Sequence, residues 1–291
     1  MITVIGSINM DVVVDTDIFP RQGETVQGKS FTTIPGGKGA NQAVAVARLG
    51  SPIRMIGAVG NDSFGKELYD HLANEKIDVS GIVKMNNSTG IANILLHNQD
   101  NRIIFVPGAN FDLNVEIIDA NIQLIRESKI VILQMEIPVP TIEHILSICE
   151  KHSIPVLLNP APAANFRKEW MDKITYLTPN ETECEVIFGE DWETVLKQYP
   201  NKIIVTLGDE GAAYINGTEI IRVPSFKTTA VDTTGAGDTF NGAFAHAIYS
   251  GKTSDDAVKF ANIAASLSVE KFGAQGGMPT EEEVYARLGG H

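Results

Sequence analysis

A carboxylate stands beside a glycine-rich turn in Asp232-Thr233-Thr234-Gly235-Ala236-Gly237-Asp238-Thr239-Phe240-Asn241. The segment follows a strand-like run (219–223) and opens a helical pattern over 236–250. Gly235 and Gly237 let the main chain approach a ligand closely. The unbonded N–H groups and positive dipole end of a helix start suit an anion. Asp238 adds an acid beside that anion site. Backbone groups that steady a phosphate, next to a carboxylate that takes an alcohol proton, are what phosphoryl transfer to an alcohol needs. Asp-Thr-Gly strings also form ordinary turns and N-caps, so on this segment alone both readings stand.

A second glycine-rich helix entry is Gly36-Gly37-Lys38-Gly39-Ala40-Asn41-Gln42-Ala43, leading into a helix over 40–49. It carries donors, on Lys38, Asn41 and the backbone, and no carboxylate. Such a surface suits neutral hydroxyls. A tight strand-to-helix turn with a solvated lysine is the alternative.

Together these segments resemble the paired signatures of the ribokinase-like (PfkB) family of sugar and nucleoside kinases. Further stretches fall in that family's order: Gly6-Ser7-Ile8-Asn9-Met10-Asp11, Gln134-Met135-Glu136, Asn159-Pro160-Ala161-Pro162-Ala163, Thr178-Pro179-Asn180-Glu181-Thr182-Glu183 and Thr206-Leu207-Gly208. The resemblance spans essentially the whole chain. It implies ATP-dependent phosphorylation of the 5-hydroxyl of D-ribose, with Mg²⁺ and a K⁺ activator. Other sugars or nucleosides of the family (deoxyribose, fructose, adenosine), and a non-catalytic sugar-binding regulator, are the alternatives. The implied fold is α/β, a three-layer α/β/α arrangement with a mostly parallel central sheet and a small projecting β-sheet lid.

The resemblance also assigns roles. Asp238 is the general base, and Gly235, Ala236 and Gly237 supply the anion hole. Asn9, Asp11, Gly37, Lys38, Asn41 and Glu136 hold the sugar with Asp238. Asn180, Thr206, Gly208, Gly211, Gly237 and Asn262 line the nucleotide. Glu183 acts on Mg²⁺ through water. Asp232 and Thr234, with backbone oxygens of Ser268, Lys271 and Gly273, hold the monovalent cation. Gly277 departs from the pattern, because some members carry a serine ligand there.

Several of these residues have plain local readings as well. Asn9 and Asp11 follow the first strand, where an Asx turn is common. Glu136 fits a solvated loop acid ahead of Pro138. Asn180 and Glu183 match a capping box, with Glu183 three residues into the helix. Asn262 is a lone polar residue on a helix.

The bulk properties narrow the field. The chain has 291 residues, 43% of them hydrophobic, enough for one large α/β domain. With 23 basic against 36 acidic residues the net charge is −13, which disfavours nucleic-acid partners. Any ATP site must therefore be locally positive. Cys149 and Cys184 show no metal or redox spacing, which fits buried thiols in a reducing cytoplasm. A strand is expected from Ile2, so no signal peptide is expected, and no apolar run in the sequence reaches membrane length. Neither a P-loop, a protein-kinase motif set nor a dinucleotide fingerprint occurs.

The elements that must position these groups alternate along the chain. Strands are expected at 2–5, 53–60, 130–133, 156–158, 176–177 and 203–206, with a strand pair over 211–223. Helices are expected at 40–49, 64–74, 140–151, 180–188, 192–198, 236–250, 254–270 and 280–288. Repeated strand–helix units imply a largely parallel sheet covered on both faces. Half-exposed strands at 12–15, 26–33, 91–97 and 102–106 do not fit that sheet. They form the expected lid, about 11–35 and 91–106, with a hairpin turn at Asn98-Gln99-Asp100-Asn101. A one-sided lid needs a cover for its apolar face, which implies a homodimer. The terminal Gly289-Gly290-His291 is expected to fray.

Overall fold

The computed structural model of the chain describes residues 1–97 and 100–289. The centre of the expected hairpin turn, Asn98-Gln99, and the terminal Gly290-His291 lie outside the described residues. In chain order the first elements are β1 (Ile2–Ile5), β2 (Asn9–Thr16), β3 (Gly28–Gly36), α1 (Lys38–Arg48), β4 (Ile53–Gly60), α2 (Ser63–Asn74), β5 (Asp78–Met85), β6 (Gly90–His97) and β7 (Asp100–Val106). Then come α3 (Val115–Ala120), α4 (Ile122–Arg126), β8 (Ile130–Leu133), α5 (Val139–Lys151), β9 (Val156–Leu158), β10 (Tyr176–Leu177), α6 (Glu181–Phe188) and α7 (Trp192–Gln198). The last are β11 (Ile204–Thr206), β12 (Ala212–Asn216), β13 (Glu219–Val223), α8 (Ala236–Tyr249), α9 (Ser254–Ser268) and α10 (Glu281–Gly289).

Six parallel strands form the central sheet in the order β10-β9-β8-β1-β4-β5. The antiparallel β11-β12-β13 sheet continues from its β10 edge through the bridges Leu177↔Ile203 and Asn180↔Thr206. Side chains along a strand alternate between faces. Ile130 and Ile132 therefore enter one core with α1, α8 and α9, while Val131 and Leu133 enter a second with α5, α6 and α7. Two separate cores on one sheet make the three layers.

A four-stranded sheet, β3-β2-β6-β7, stands apart from the central one. Its strands are only partly covered, and Phe31, Ile103 and Ile104 are 69%, 56% and 61% exposed.

Three expectations need correction. β2 begins at Asn9 rather than Val12, so Asn9 and Asp11 lie on a strand, paired with Gly36 and Ile34, and not in an Asx turn. β5 was not expected, because Gly81 and the charges at Asp78 and Lys84 mask its period. Nor were α3 and α4, which are too short to show a clear helical repeat.

Close approach of two helices builds the site. A Cβ at Gly242 would lie 2.6 Å from Ala45 Cβ, so only glycine lets α8 seat this tightly on α1. That seating brings Asn41 and Gln42 against Asp238. Cys149 and Cys184 are buried and unpaired, and burial pushes both thiols up to about 12. They are packing residues.

Candidate active site

The site lies at the carboxyl ends of the parallel strands, where open α/β sheets place ligands. Ser7 follows β1, Gln134 and Glu136 follow β8, Asn159 follows β9 and Asn180 follows β10. α1 and α8 both start there.

Asp238 does not cap its helix. Gly235 is the N-cap of α8, in the left-handed region at φ 80, and among the described residues no side chain caps it. A Cβ at Gly235 would strike the Ala274 carbonyl. Ala236 N–H bonds the Thr233 carbonyl at 3.3 Å, while the Gly237 N–H is left to the helix start. Asp238 sits in the first turn, 8% exposed, with its carboxylate turned toward α1. Asn41 Nδ2 donates to Asp238 Oδ2 at 3.0 Å, and Gln42 Nε2 donates to Oδ1 at 2.9 Å. One donor on each oxygen fixes the plane of the carboxylate.

Behind Gln42 runs a buried amide cluster. Gln134 Nε2 donates to Gln42 Oε1 at 2.7 Å, and Gln42 Nε2 also reaches Asn159 Oδ1 at 3.3 Å. Asn110 is a further residue that sequence patterns did not expose. It accepts from Ile8 N at 2.8 Å and donates to Asn9 Oδ1 at 2.7 Å, which fixes the Asn9 amide at the start of β2. The Gln134-Met135-Glu136 stretch pointed to Gln134. No local signal points to this role of Asn110, because Ile8 and Asn9 lie 102 and 101 positions away in the chain.

Asp11, Lys38, Glu136 and Asp238 converge on one space. Burial, then Glu136 and Asp238, raise the Asp11 carboxyl to about 7, against the opposing pull of Lys38. Burial works against the Lys38 ammonium, but Asp238, Glu136, Glu183 and Asp11 outweigh it and hold its pKa above the usual lysine value. Glu136 is raised chiefly by burial, although Lys38 and the Ser7 hydroxyl favour its charge. Ser7 Oγ donates to Glu136 Oε2 at 2.5 Å, and Lys38 N donates to the same oxygen at 3.4 Å. Neither the Asp11 carboxylate nor the Lys38 ammonium has a hydrogen bond or ion pair among the described residues. Half-buried charged groups with polar capacity unspent suit a hydroxyl-rich ligand between them. Gly37, at φ 89, brings α1 against the Asn9 N–H and closes the floor of that space.

A second group of residues meets beyond the ends of β10 and β11. Asn180 and Glu183 form the full capping box of α6, at 2.8 and 2.9 Å. Thr206 N–H donates to the Pro179 carbonyl at 2.9 Å, which joins β11 to the Asn180 segment. Gly208 and Gly211 flank the short turn that follows β11. Asn262 spends its amide nitrogen on the Val223 carbonyl at 2.8 Å, the oxygen that lies against Gly211. It ties α9 to β13 at this edge.

Two surface clefts, of about 340 and 680 Å³, are lined by none of these residues. Convergent charge, not cavity size, marks the site.

The pfkB family carbohydrate kinase model matches residues 1–281. The chain belongs to this family. Ribokinase of Lactococcus lactis is 46% identical to this pfkB carbohydrate kinase, over 99% of this chain and 96% of that protein. The crystal structure of ribokinase from Thermotoga maritima superposes with a TM-score of 0.91 at 40% identity, covering 99% of each chain. The structure of Arabidopsis thaliana ribokinase complexed with ribose and ATP superposes at 0.92 with 35% identity, over 99% of this chain and 98% of that one.

Kinases of this family use ATP. Among the described residues no group of three or more His, Cys, Asp or Glu side chains could hold a metal ion. Glu183 commits Oε2 to its cap, and its Oε1 has no hydrogen bond among the described residues. Burial raises the Glu183 carboxyl despite the Asn180 N–H and Lys38.

The residues implied for a monovalent cation are also brought together in part. Asp232 accepts from Thr234 N and from Gly273 N, each at 2.9 Å. Burial opposes the charge on Asp232, but these bonds hold its pKa below the usual carboxylate value. A Cβ at Gly277 would strike the Ser268 carbonyl. The loop therefore offers backbone oxygens and no hydroxyl at position 277. Among the described residues no helix is long and apolar enough to cross a membrane.

Proposed function

We infer that this carbohydrate kinase phosphorylates D-ribose at its 5-hydroxyl with ATP, giving D-ribose 5-phosphate and ADP. The observation that carries the reading is the space bounded by Asp11, Lys38, Glu136 and Asp238. It is rich in charge with unspent hydrogen-bonding capacity, and it abuts an uncapped helix start. The complex of the Arabidopsis relative with ribose and ATP supports the choice of ligands.

Asp11 accepts from sugar hydroxyls, and Asn9, Gly37, Lys38, Asn41 and Glu136 complete the sugar site. Asn41 spends its oxygen and one amine hydrogen within the protein, which leaves one N–H for the sugar. Asp238 takes the proton from the attacking hydroxyl late in a loose transition state, so its placement matters more than its basicity. The helix start around Gly235, Ala236 and Gly237, with the Gly237 N–H unspent, stabilises the charge that develops on the transferred phosphoryl group. Asn180, Thr206, Gly208, Gly211 and Asn262 border the nucleotide, and Glu183 would hold Mg²⁺ through water. The metal would supply neutralisation of the phosphate charge. K⁺ is the activator that the oxygens of Asp232, Thr234, Ser268, Lys271 and Gly273 would hold.

The whole chain works as one domain, in which the β3-β2-β6-β7 sheet is the lid. It excludes water while the transfer takes place. The exposed Phe31, Ile103 and Ile104 pair the lids of two copies in a cytoplasmic homodimer.

ADP release with Mg-ATP over ribose, deoxyribose, fructose and adenosine tests the reading, with potassium or sodium present. Turnover highest on ribose is expected. Preference for another acceptor moves the specificity, and no turnover with any of them sinks the reading.

A further inference from the structure

A line of side chains runs from Asp238 to the surface of α2, and its polarity is fixed at every link. Asn41 Nδ2 donates to Asp238 Oδ2, so the Asn41 oxygen faces away from the carboxylate. That oxygen accepts from Gln275 Nε2 at 2.9 Å. With its nitrogen so committed, Gln275 presents its oxygen to His71, and Gln275 Oε1 lies 2.7 Å from His71 Nε2. An amide oxygen only accepts, so His71 Nε2 carries the hydrogen. Each group can point only one way, because the Asp238 carboxylate at the end accepts a donor on each oxygen.

Gln275 is itself held at both ends. It is 5% exposed, and Arg48 Nη1 donates to its backbone carbonyl. Arg48 in turn is paired with Glu75 through Nη2 at 2.6 Å and Nε at 3.1 Å. The residue lies in the loop after α9, two positions from Gly273, whose N–H holds Asp232. Ala274 between them packs against Gly235. One loop therefore braces the helix start and, through Gln275, the amide that orients the base.

The geometry points to Gln275 and His71 as positioning residues for phosphoryl transfer, acting through Asn41 to fix the carboxylate of Asp238. The inference rests on the assignment of Asp238 as the base. Without Gln275, Asn41 keeps its donor toward Asp238 but loses the anchor on its oxygen. Its amide can then swing, and the carboxylate it holds is free to turn with it. Misplacement of a reacting group by about 1 Å can cost on the order of 100-fold in rate.

The test compares variants matched in shape and opposite in polarity. Gln275→Glu conserves size but accepts at both oxygens, so it demands the Asn41 nitrogen for itself. It is expected to lower kcat by about 10- to 100-fold. Gln275→Met, which removes the polarity without reversing it, is expected to fall between the parent and Gln275→Glu. It also gives the reading if the charged variant does not fold. His71→Leu is expected to lower kcat severalfold, while His71→Gln, which still donates, stays near the parent. In an Asp238→Asn background none of these changes should lower the residual turnover further, because effects routed through one group do not add. A loss that persists undiminished in that background overturns the proposal in favour of a packing role. So does parental kcat in Gln275→Glu and His71→Leu while Asp238→Asn is dead. Near-normal turnover in Asp238→Asn alone instead removes the base assignment, and the proposal with it.

Discussion

Asn41 and Asp238 lie 197 positions apart in the chain, yet the Asn41 amide nitrogen stands 3.0 Å from Asp238 Oδ2. The contact joins the starts of two helices, α1 and α8, whose glycine-rich entries carry the groups proposed for the sugar and the phosphate. It exists because Gly242 lets those helices touch. Gln42, one residue on, completes the grip from the other oxygen.

Loss of that second donor should be felt in both folding and rate. Gln42→Met keeps the volume but strips the donor to Asp238 and the acceptor of Gln134. The Gln134 Oε1 is already buried without a partner. Unsatisfied buried polar groups cost about 1–3 kcal/mol each. Denaturant unfolding should therefore show a loss of about that size, and kcat should fall while ATP affinity holds.

The raised Asp11 carboxyl predicts a pH dependence. With a pKa of about 7 it holds its proton below that value and loses it above. An acceptor for two hydroxyls must be ionised, so ribose should bind more tightly as pH rises through about 7. The gain between about pH 6 and pH 8 should be roughly tenfold. The same shift has the opposite sign for folding. A carboxyl raised from 3.8 to about 7 contributes stability that is lost as pH rises through about 7. Asp11→Asn should flatten the binding profile, weaken ribose, and raise the melting temperature near pH 8. Calorimetric titration and thermal melts of both proteins would show this.

Glu183 has two jobs that one substitution separates. Gln at the third helical position still completes a capping box. Glu183→Gln should thus unfold within about 0.5 kcal/mol of the parent, in keeping with a retained cap. If its free oxygen orients a metal-bound water, the Mg²⁺ concentration for half-maximal turnover should rise severalfold. An unchanged Mg²⁺ requirement would leave Glu183 as a cap alone.

The legibility of this chain in its sequence follows its physics. Helix entries and parallel strands announce themselves through glycine, capping residues and apolar runs, and 2–5, 53–60, 130–133 and 156–158 read correctly to the residue. Lys38, Asn41 and Asp238, the groups proposed to carry most of the chemistry, sit at those entries. What stayed hidden is made of pairs. Gln275 meets Asn41 across 234 positions and His71 across 204, and no local period encodes either contact. The start of β2 was obscured because Asn9 and Asp11 are poor strand formers. Cross-sheet pairing with β3 overrides that preference.

The exposed apolar residues of the projecting sheet predict its state in solution. Phe31→Asp with Ile104→Asp should break the lid pairing and give a monomer by sedimentation, with turnover reduced because the lid closes less well. A doubly substituted protein that remains dimeric at micromolar concentration would place the contact elsewhere.

The most direct test of the account is single-turnover phosphorylation of ribose by Asp238→Asn, with ribose binding measured on the same sample. The account predicts that the transfer rate falls by at least about 100-fold, in the range general-base catalysis supplies, while ribose still binds. Transfer at near the parental rate would contradict it and remove Asp238 from the chemistry.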